Sequence, residues 1–156
     1  IYIRAGKRLP KRVTEVALQF KPVPHLPFRP GQARGLEPNT LLLRIQPDEG
    51  IVLRFGAKVP GPRFEVRSVS MEMLYGSAFP EATADAYERL LLDALLGDQT
   101  LFIRSDEVMQ AWRIVEPLLQ AWENEDVVLA RYPAGTWGPR DADRLIDRDG
   151  RRWRNP

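Results

Sequence analysis

The 156 residues include no cysteine, which excludes disulfides and thiolate metal sites. Histidine is nearly missing too. His25 is the single one, set within Pro22-Val23-Pro24-His25-Leu26-Pro27. A general base needs a second group to orient it and a rigid frame to hold it, and a lone histidine in a proline-rich loop has neither. A metal site of histidines and carboxylates needs several ligands at a set spacing, and no such spacing occurs, so neither a catalytic residue nor a metal ligand is expected. No apolar run approaches the roughly 18 residues of a membrane span. No secretory signal is visible, so the expected setting is cytoplasmic, with no membrane partner. Spaced glycines between a strand and a helix, the phosphate cradle of dinucleotide folds, are also lacking. Gly6-Lys7 follows an extended segment, but no helical pattern opens behind it, so no cofactor-binding residue is expected.

Excess charge of either sign is small. Lys and Arg number 23 against 21 Asp and Glu, a net charge of +2, so the sequence pI of about 9.2 is a weak argument for nucleic acid. The densest arginine run, 148–154, reads as a solvated tail, and no nucleic-acid partner is expected. What is present fits an ordinary globular domain: 44% hydrophobic and 28% charged residues, enough for one core. The first residue is Ile1 rather than Met, and Ile1-Tyr2-Ile3-Arg4 already reads as a strand. A piece of a longer protein is the expectation.

Periodicity assigns the elements. Over 13–20, Thr14, Val16, Leu18 and Phe20 form the more apolar side of an alternating strand, with Val13, Glu15, Ala17 and Gln19 opposite. Residues 21–38 are proline-rich and read as a long surface loop. The apolar run 41–46, the turn Pro47-Asp48-Glu49-Gly50 and the strand 51–55 predict a hairpin. Residues 64–75 alternate as a long strand, with a bulge expected near Ser70. Asp85 with Glu88 makes a capping box for a helix with the stripe Tyr87, Leu90, Leu91, Ala94 and Leu95, closed by Gly97. Ser105 reads as the cap of a second helix carrying Asp106 and Glu107 in its first turn, with Pro117 expected to kink it. A short helix is expected over 141–147. Strands first and helices afterwards predict an α+β fold, a large mainly antiparallel sheet with helices packed on one face, and not a doubly wound domain.

The strongest chemical feature is Gly6-Lys7-Arg8-Leu9-Pro10-Lys11-Arg12. Its cations suit a phosphate or other acidic ligand, and equally suit a solvated basic turn. Arg4-Ala5-Gly6-Lys7, then Arg12 and Gln19-Phe20, resembles the opening of the C-terminal domain of glucose-6-phosphate dehydrogenases. Arg44-Ile45-Gln46-Pro47-Asp48-Glu49, Asp85-Ala86-Tyr87-Glu88-Arg89-Leu90, Arg104-Ser105-Asp106-Glu107 with Ala111-Trp112-Arg113, and Tyr132-Pro133-Ala134-Gly135-Thr136-Trp137-Gly138-Pro139 are similar to further hallmarks, in the same order.

The resemblance implies the substrate and dimerisation domain, 1–156, of an enzyme that oxidises glucose 6-phosphate to 6-phosphogluconolactone with NADP, or NAD in some bacteria. It implies that the catalytic histidine and the dinucleotide-binding domain lie outside this chain, and that the chain alone is inactive. It implies substrate contacts from Lys7, Arg12 and Gln46, with Arg8 and Lys11 facing solvent. The expected partners are glucose 6-phosphate and a homodimer, or dimer of dimers, built through the sheet. A second, structural NADP is not expected on this domain. Arg4 and Arg44 match cations of that site, but Val13 and Val52 stand where it uses a lysine and a tyrosine. The alternative is a free-standing, non-catalytic sugar-phosphate-binding or assembly module of the same fold.

Overall fold

The computed structural model describes residues 1–22, 36–79, 86–124 and 130–156. These divide into two compact units, one made of Ile1–Glu81 with Tyr132–Pro156 and the other of Ala82–Arg131. The first holds a four-stranded antiparallel meander of β1 (Thr14–Gln19), β2 (Thr40–Gln46), β3 (Gly50–Lys58) and β4 (Val66–Leu74), in that spatial order. It continues into a single helical turn, α1 (Tyr75–Ala78), and includes the later helix α4 (Arg140–Asp147). The second unit contains α2 (Ala86–Leu96) and α3 (Ser105–Asn124). This is the α+β class expected, and the 47–50 hairpin forms as predicted, with a cis Gln46–Pro47 peptide.

The register sorts the side chains. Val16, Leu43, Ile51 and Met73 stand opposite one another across the four strands, and Leu18, Leu41, Leu53 and Met71 form the neighbouring row. Directly paired residues share a face, so these rows build one apolar face. It is only partly buried: Val16, Leu18 and Phe20 are each about half exposed, and Met71 is 62% exposed. The other face carries the buried pair Leu42 and Val52 beside polar partners. Fully burying such a side chain contributes about 1.5–3 kcal/mol. Val66 belongs with that second face, being buried at one end of β4, whereas Met71 and Met73 belong to the first, because their parity along the strand is opposite. Glu15 and Arg154 form an ion pair of 3.2 Å with Glu15 largely buried, and Arg44 pairs with Glu72.

Several expectations need correction. Residues 1–4 form no strand. They have no ladder partner among the described residues and are held by side chains instead. No bulge occurs at Ser70, since β3 and β4 pair without interruption. The irregularity lies between Thr14 and Glu15. Tyr75 leaves the strand to start α1, its N–H bonded to the Glu49 carbonyl.

The cap of α3 is Arg104 rather than Ser105. The Arg104 carbonyl accepts the first helical bond from Val108 N–H, while Glu107 Oε2 accepts from Arg104 N–H, the reciprocal half of a capping box. Asp106 ties the Arg104 guanidinium to the same turn with two bonds. The helix runs past Pro117 to Asn124. Gly97 closes α2 at φ 73, as expected of a C-terminal glycine, and the Asp93 carboxylate, 1% exposed in its residue, is paired with Arg89 one turn earlier at 2.9 Å. Thr100 donates two hydrogen bonds to Asp98, which hold that carboxyl below its usual range. Asp85, His25 and most of the 21–38 loop lie outside the described residues.

Candidate functional site

The basic turn at 6–12 is shaped by its backbone. Arg8 adopts φ 56, and the Gly135 N–H donates to its carbonyl at 2.9 Å. The Tyr132 hydroxyl donates to the Lys7 carbonyl at 2.8 Å. Gly6 packs closely: a Cβ there would lie 2.8 Å from the Tyr132 hydroxyl oxygen, so the turn or that hydroxyl would have to shift. Lys7 and Arg12 are both exposed. Arg12 precedes β1 by two residues, and the first residue of β1, Thr14, stands opposite Gln46, the exposed last residue of β2. The β1–β2 pairing therefore brings Arg12 and Gln46 to one end of the sheet, and the Lys7 turn leads directly into it. The three candidate residues belong to one unit.

Arg4 has a different fate. Its guanidinium lies 4.8 Å from the centre of the Trp137 ring and 5.0 Å from that of Trp153. It donates to the Arg154 carbonyl at 2.7 Å and to Asn155 Oδ1 at 3.1 Å. Burial pulls this guanidinium below its ordinary value, and the charges of Asp143 and Glu15 act against that. Trp153 also meets Tyr2 edge to face at 6.2 Å and donates from Nε1 to the Ala142 carbonyl at 2.8 Å. The Tyr2 hydroxyl donates to Asp149, and that bond holds the phenol above its ordinary value. Residues 149–155 thus clasp residues 2–4, and Ile146, beneath them in α4, is buried.

A cavity of about 180 Å³ opens beside the clasp, lined by Arg4, Leu9, Tyr132, Trp137, Leu145 and Trp153 among others. Lys7, Arg12 and Gln46 do not line it. An open cleft lined by Gln99, Phe102 and 103–106 belongs to the other unit and also holds none of them. Among the described residues no group of three His, Cys, Asp or Glu side chains could hold a metal, and no helix is long and apolar enough to cross a membrane.

Sequence reasoning singled out Lys7, Arg12 and Gln46 but missed the Arg4–Trp137–Trp153 cluster and the role of Tyr132. Their partners are 125–150 residues apart, beyond any local pattern. The tryptophan and tyrosine content of 132–137 and 153, unusually rich for loops, was the available signal.

Residues 1–154 match the family described as glucose-6-phosphate dehydrogenase, C-terminal domain. Among curated relatives, glucose-6-phosphate 1-dehydrogenase of Mycolicibacterium smegmatis is 53% identical over 152 residues, 97% of this chain and 30% of that protein. Glucose-6-phosphate 1-dehydrogenase 2 of Mycobacterium tuberculosis is 51% identical over 155 residues, 99% of this chain and again 30% of the relative. A solved glucose-6-phosphate dehydrogenase in complex with its substrate glucose-6-phosphate superposes with a TM-score of 0.81 at 32% identity, over 96% of this chain and 30% of that one. The crystal structure of the Mycobacterium avium enzyme gives 0.72 at 36% identity, over 97% of this chain and 30% of its own. The chain thus spans about 30% of the length of these proteins.

Proposed function

Because this chain belongs to the glucose-6-phosphate dehydrogenase family, as its C-terminal domain, we propose that it supplies the substrate-holding wall of an enzyme that oxidises glucose 6-phosphate to 6-phosphogluconolactone. Lys7, Arg12 and Gln46 hold the sugar phosphate in this reading. An ammonium, a guanidinium and an amide offer charge-assisted and neutral donors to phosphate and hydroxyl oxygens, and several together fix orientation. The observation that carries the reading is the pairing of Thr14 with Gln46, which sets Arg12 and Gln46 at one end of the sheet.

NADP, as hydride acceptor, is assigned to the remainder of the enzyme, along with the general base. The residues here do not fit a second dinucleotide. The Arg4 guanidinium is taken up by two indole rings and by the 154–155 backbone and side chain, and Arg44 is paired with Glu72. Val13 and Val52 add no polar group. The setting proposed is cytoplasmic.

The reading is tested by assaying the full-length protein that contains this segment with glucose 6-phosphate and NADP, following absorbance of the reduced cofactor. Turnover is expected from the full-length protein and none above blank from the 156-residue chain. A free-standing binding module would bind the sugar phosphate without turnover in either form. Turnover by the short chain that survives His25→Ala would sink the domain assignment.

The same reading includes a homodimer formed sheet to sheet. The apolar rows through Met71 and Met73 support it, since a half-exposed apolar face of this kind calls for a cover, and two-fold pairing is the commonest arrangement. Met71→Asp in the full-length enzyme is expected to give a folded monomer by sedimentation equilibrium at micromolar concentration. A dimer that persists in the variant would place the contact elsewhere.

A further inference from the structure

The Lys7 turn is moored from 125 residues away. Its anchor is a compact turn at 133–136, in which Thr136 bonds the Pro133 carbonyl through both its N–H, at 3.3 Å, and its hydroxyl, at 2.7 Å. Gly135 takes φ 80 within it and offers its N–H to Arg8. Tyr132 stands at the entrance, with its hydroxyl on the Lys7 carbonyl and in the space that a Cβ on Gly6 would enter. Three features of the basic turn meet at this one anchor: the bare Gly6, the Lys7 carbonyl, and the Arg8 backbone in a conformation L-residues seldom hold unsupported.

A lysine side chain is long and flexible, so its ammonium is only as well aimed as the backbone beneath it. Ordering a free turn at the moment of binding costs affinity, and a turn already fixed avoids that cost. We propose that Tyr132 is a positioning residue for the sugar phosphate: its hydroxyl fixes the Lys7 carbonyl and so preorganises the Lys7 ammonium. This rests on the reading that Lys7 contacts glucose 6-phosphate. Tyr132 touches no reacting atom and acts through Lys7.

The test uses five variants of the full-length enzyme, Lys7→Ala among them. Tyr132→Phe keeps the ring and removes one hydroxyl. It is expected to raise KM for glucose 6-phosphate roughly three- to tenfold while kcat and the KM for the nicotinamide cofactor stay within about twofold. Lys7→Ala with Tyr132→Phe is expected to be no worse than Lys7→Ala alone, because the hydroxyl has nothing left to aim. Gly6→Ala drives a Cβ against the hydroxyl and should reproduce the KM effect. Adding Tyr132→Phe removes the oxygen that obstructs it, so that double variant should be no worse than Tyr132→Phe by itself. Thermal midpoints report whether each variant folds.

A wild-type KM in Tyr132→Phe, with Lys7→Ala impaired, overturns the positioning role and leaves the substrate reading standing. Additive losses in the Lys7–Tyr132 double variant also overturn it, because Tyr132 would then act elsewhere. A wild-type KM in Lys7→Ala overturns the substrate reading itself.

Discussion

Replacing Lys7 or Arg12 by alanine in the full-length enzyme is expected to lower kcat/KM for glucose 6-phosphate roughly ten- to a hundredfold. Each substitution removes one charge-assisted contact, worth about 1.5–3 kcal/mol when the partner is an anion. Arg8 and Lys11 lie in the same basic stretch and serve as internal controls. Arg8 contributes to the turn through its carbonyl, which Arg8→Ala retains. Both control variants are expected within about twofold of wild type, as for exposed charges away from a ligand. Steady-state kinetics across the four variants decide the matter. If Arg8→Ala proved the most damaging, the substrate would be held by a different side of the turn, and the match of Lys7 to the family's lysine would be out of register.

The largest stability effect is expected at Trp153. Its ring is shared by the Arg4 guanidinium and the edge of Tyr2, and its Nε1 is bonded to the Ala142 carbonyl in α4. Trp153→Ala removes all three at once and leaves a void where the indole stood. A loss of about 3 kcal/mol is expected, near the low end for tryptophan truncation because the side chain is only partly buried. Trp153→Phe keeps a ring face but not the donor, so about 1 kcal/mol is expected. Thermal unfolding of the full-length enzyme, followed by tryptophan fluorescence, should place the two variants in that order below wild type. Equal midpoints for Trp153→Ala and wild type would mean that the clasp over residues 2–4 adds nothing to stability.

The sequence carried the strands and the hairpin because their signals are local. Alternation at 14–20 and 66–74 and the turn at 47–50 depend on neighbours within a few residues. The same locality misled at residues 1–4, where two isoleucines flanking a tyrosine look like a strand but have no ladder to join among the described residues. The cap of α3 moved by one residue because Glu107 can reach the N–H of Arg104, a choice that composition alone does not make. Lys7, Arg12 and Gln46 are proposed as substrate contacts only through the family resemblance. Nothing in their spacing reveals that Thr14 sits across from Gln46. The apolar side of β1 was read correctly as apolar, yet it remains half exposed, since periodicity identifies a face and does not say what covers it.

The first unit is discontinuous in sequence: its strands come before residue 82, and its clasp comes after residue 131. During synthesis the four-stranded meander leaves the ribosome before the second unit and must wait, with residues 2–4 unclasped, while that whole unit is made. At roughly 5–20 residues per second, that interval lasts several seconds, far longer than a small sheet needs to pair. The nascent meander therefore spends that time with the sites of Tyr2, Arg4 and Glu15 unoccupied, and the arrival of Trp153 and Arg154 is the event that finishes it. A product cut short before Trp153 would carry all four described strands and the two cations proposed to hold the substrate, but not the residues that lock them in place.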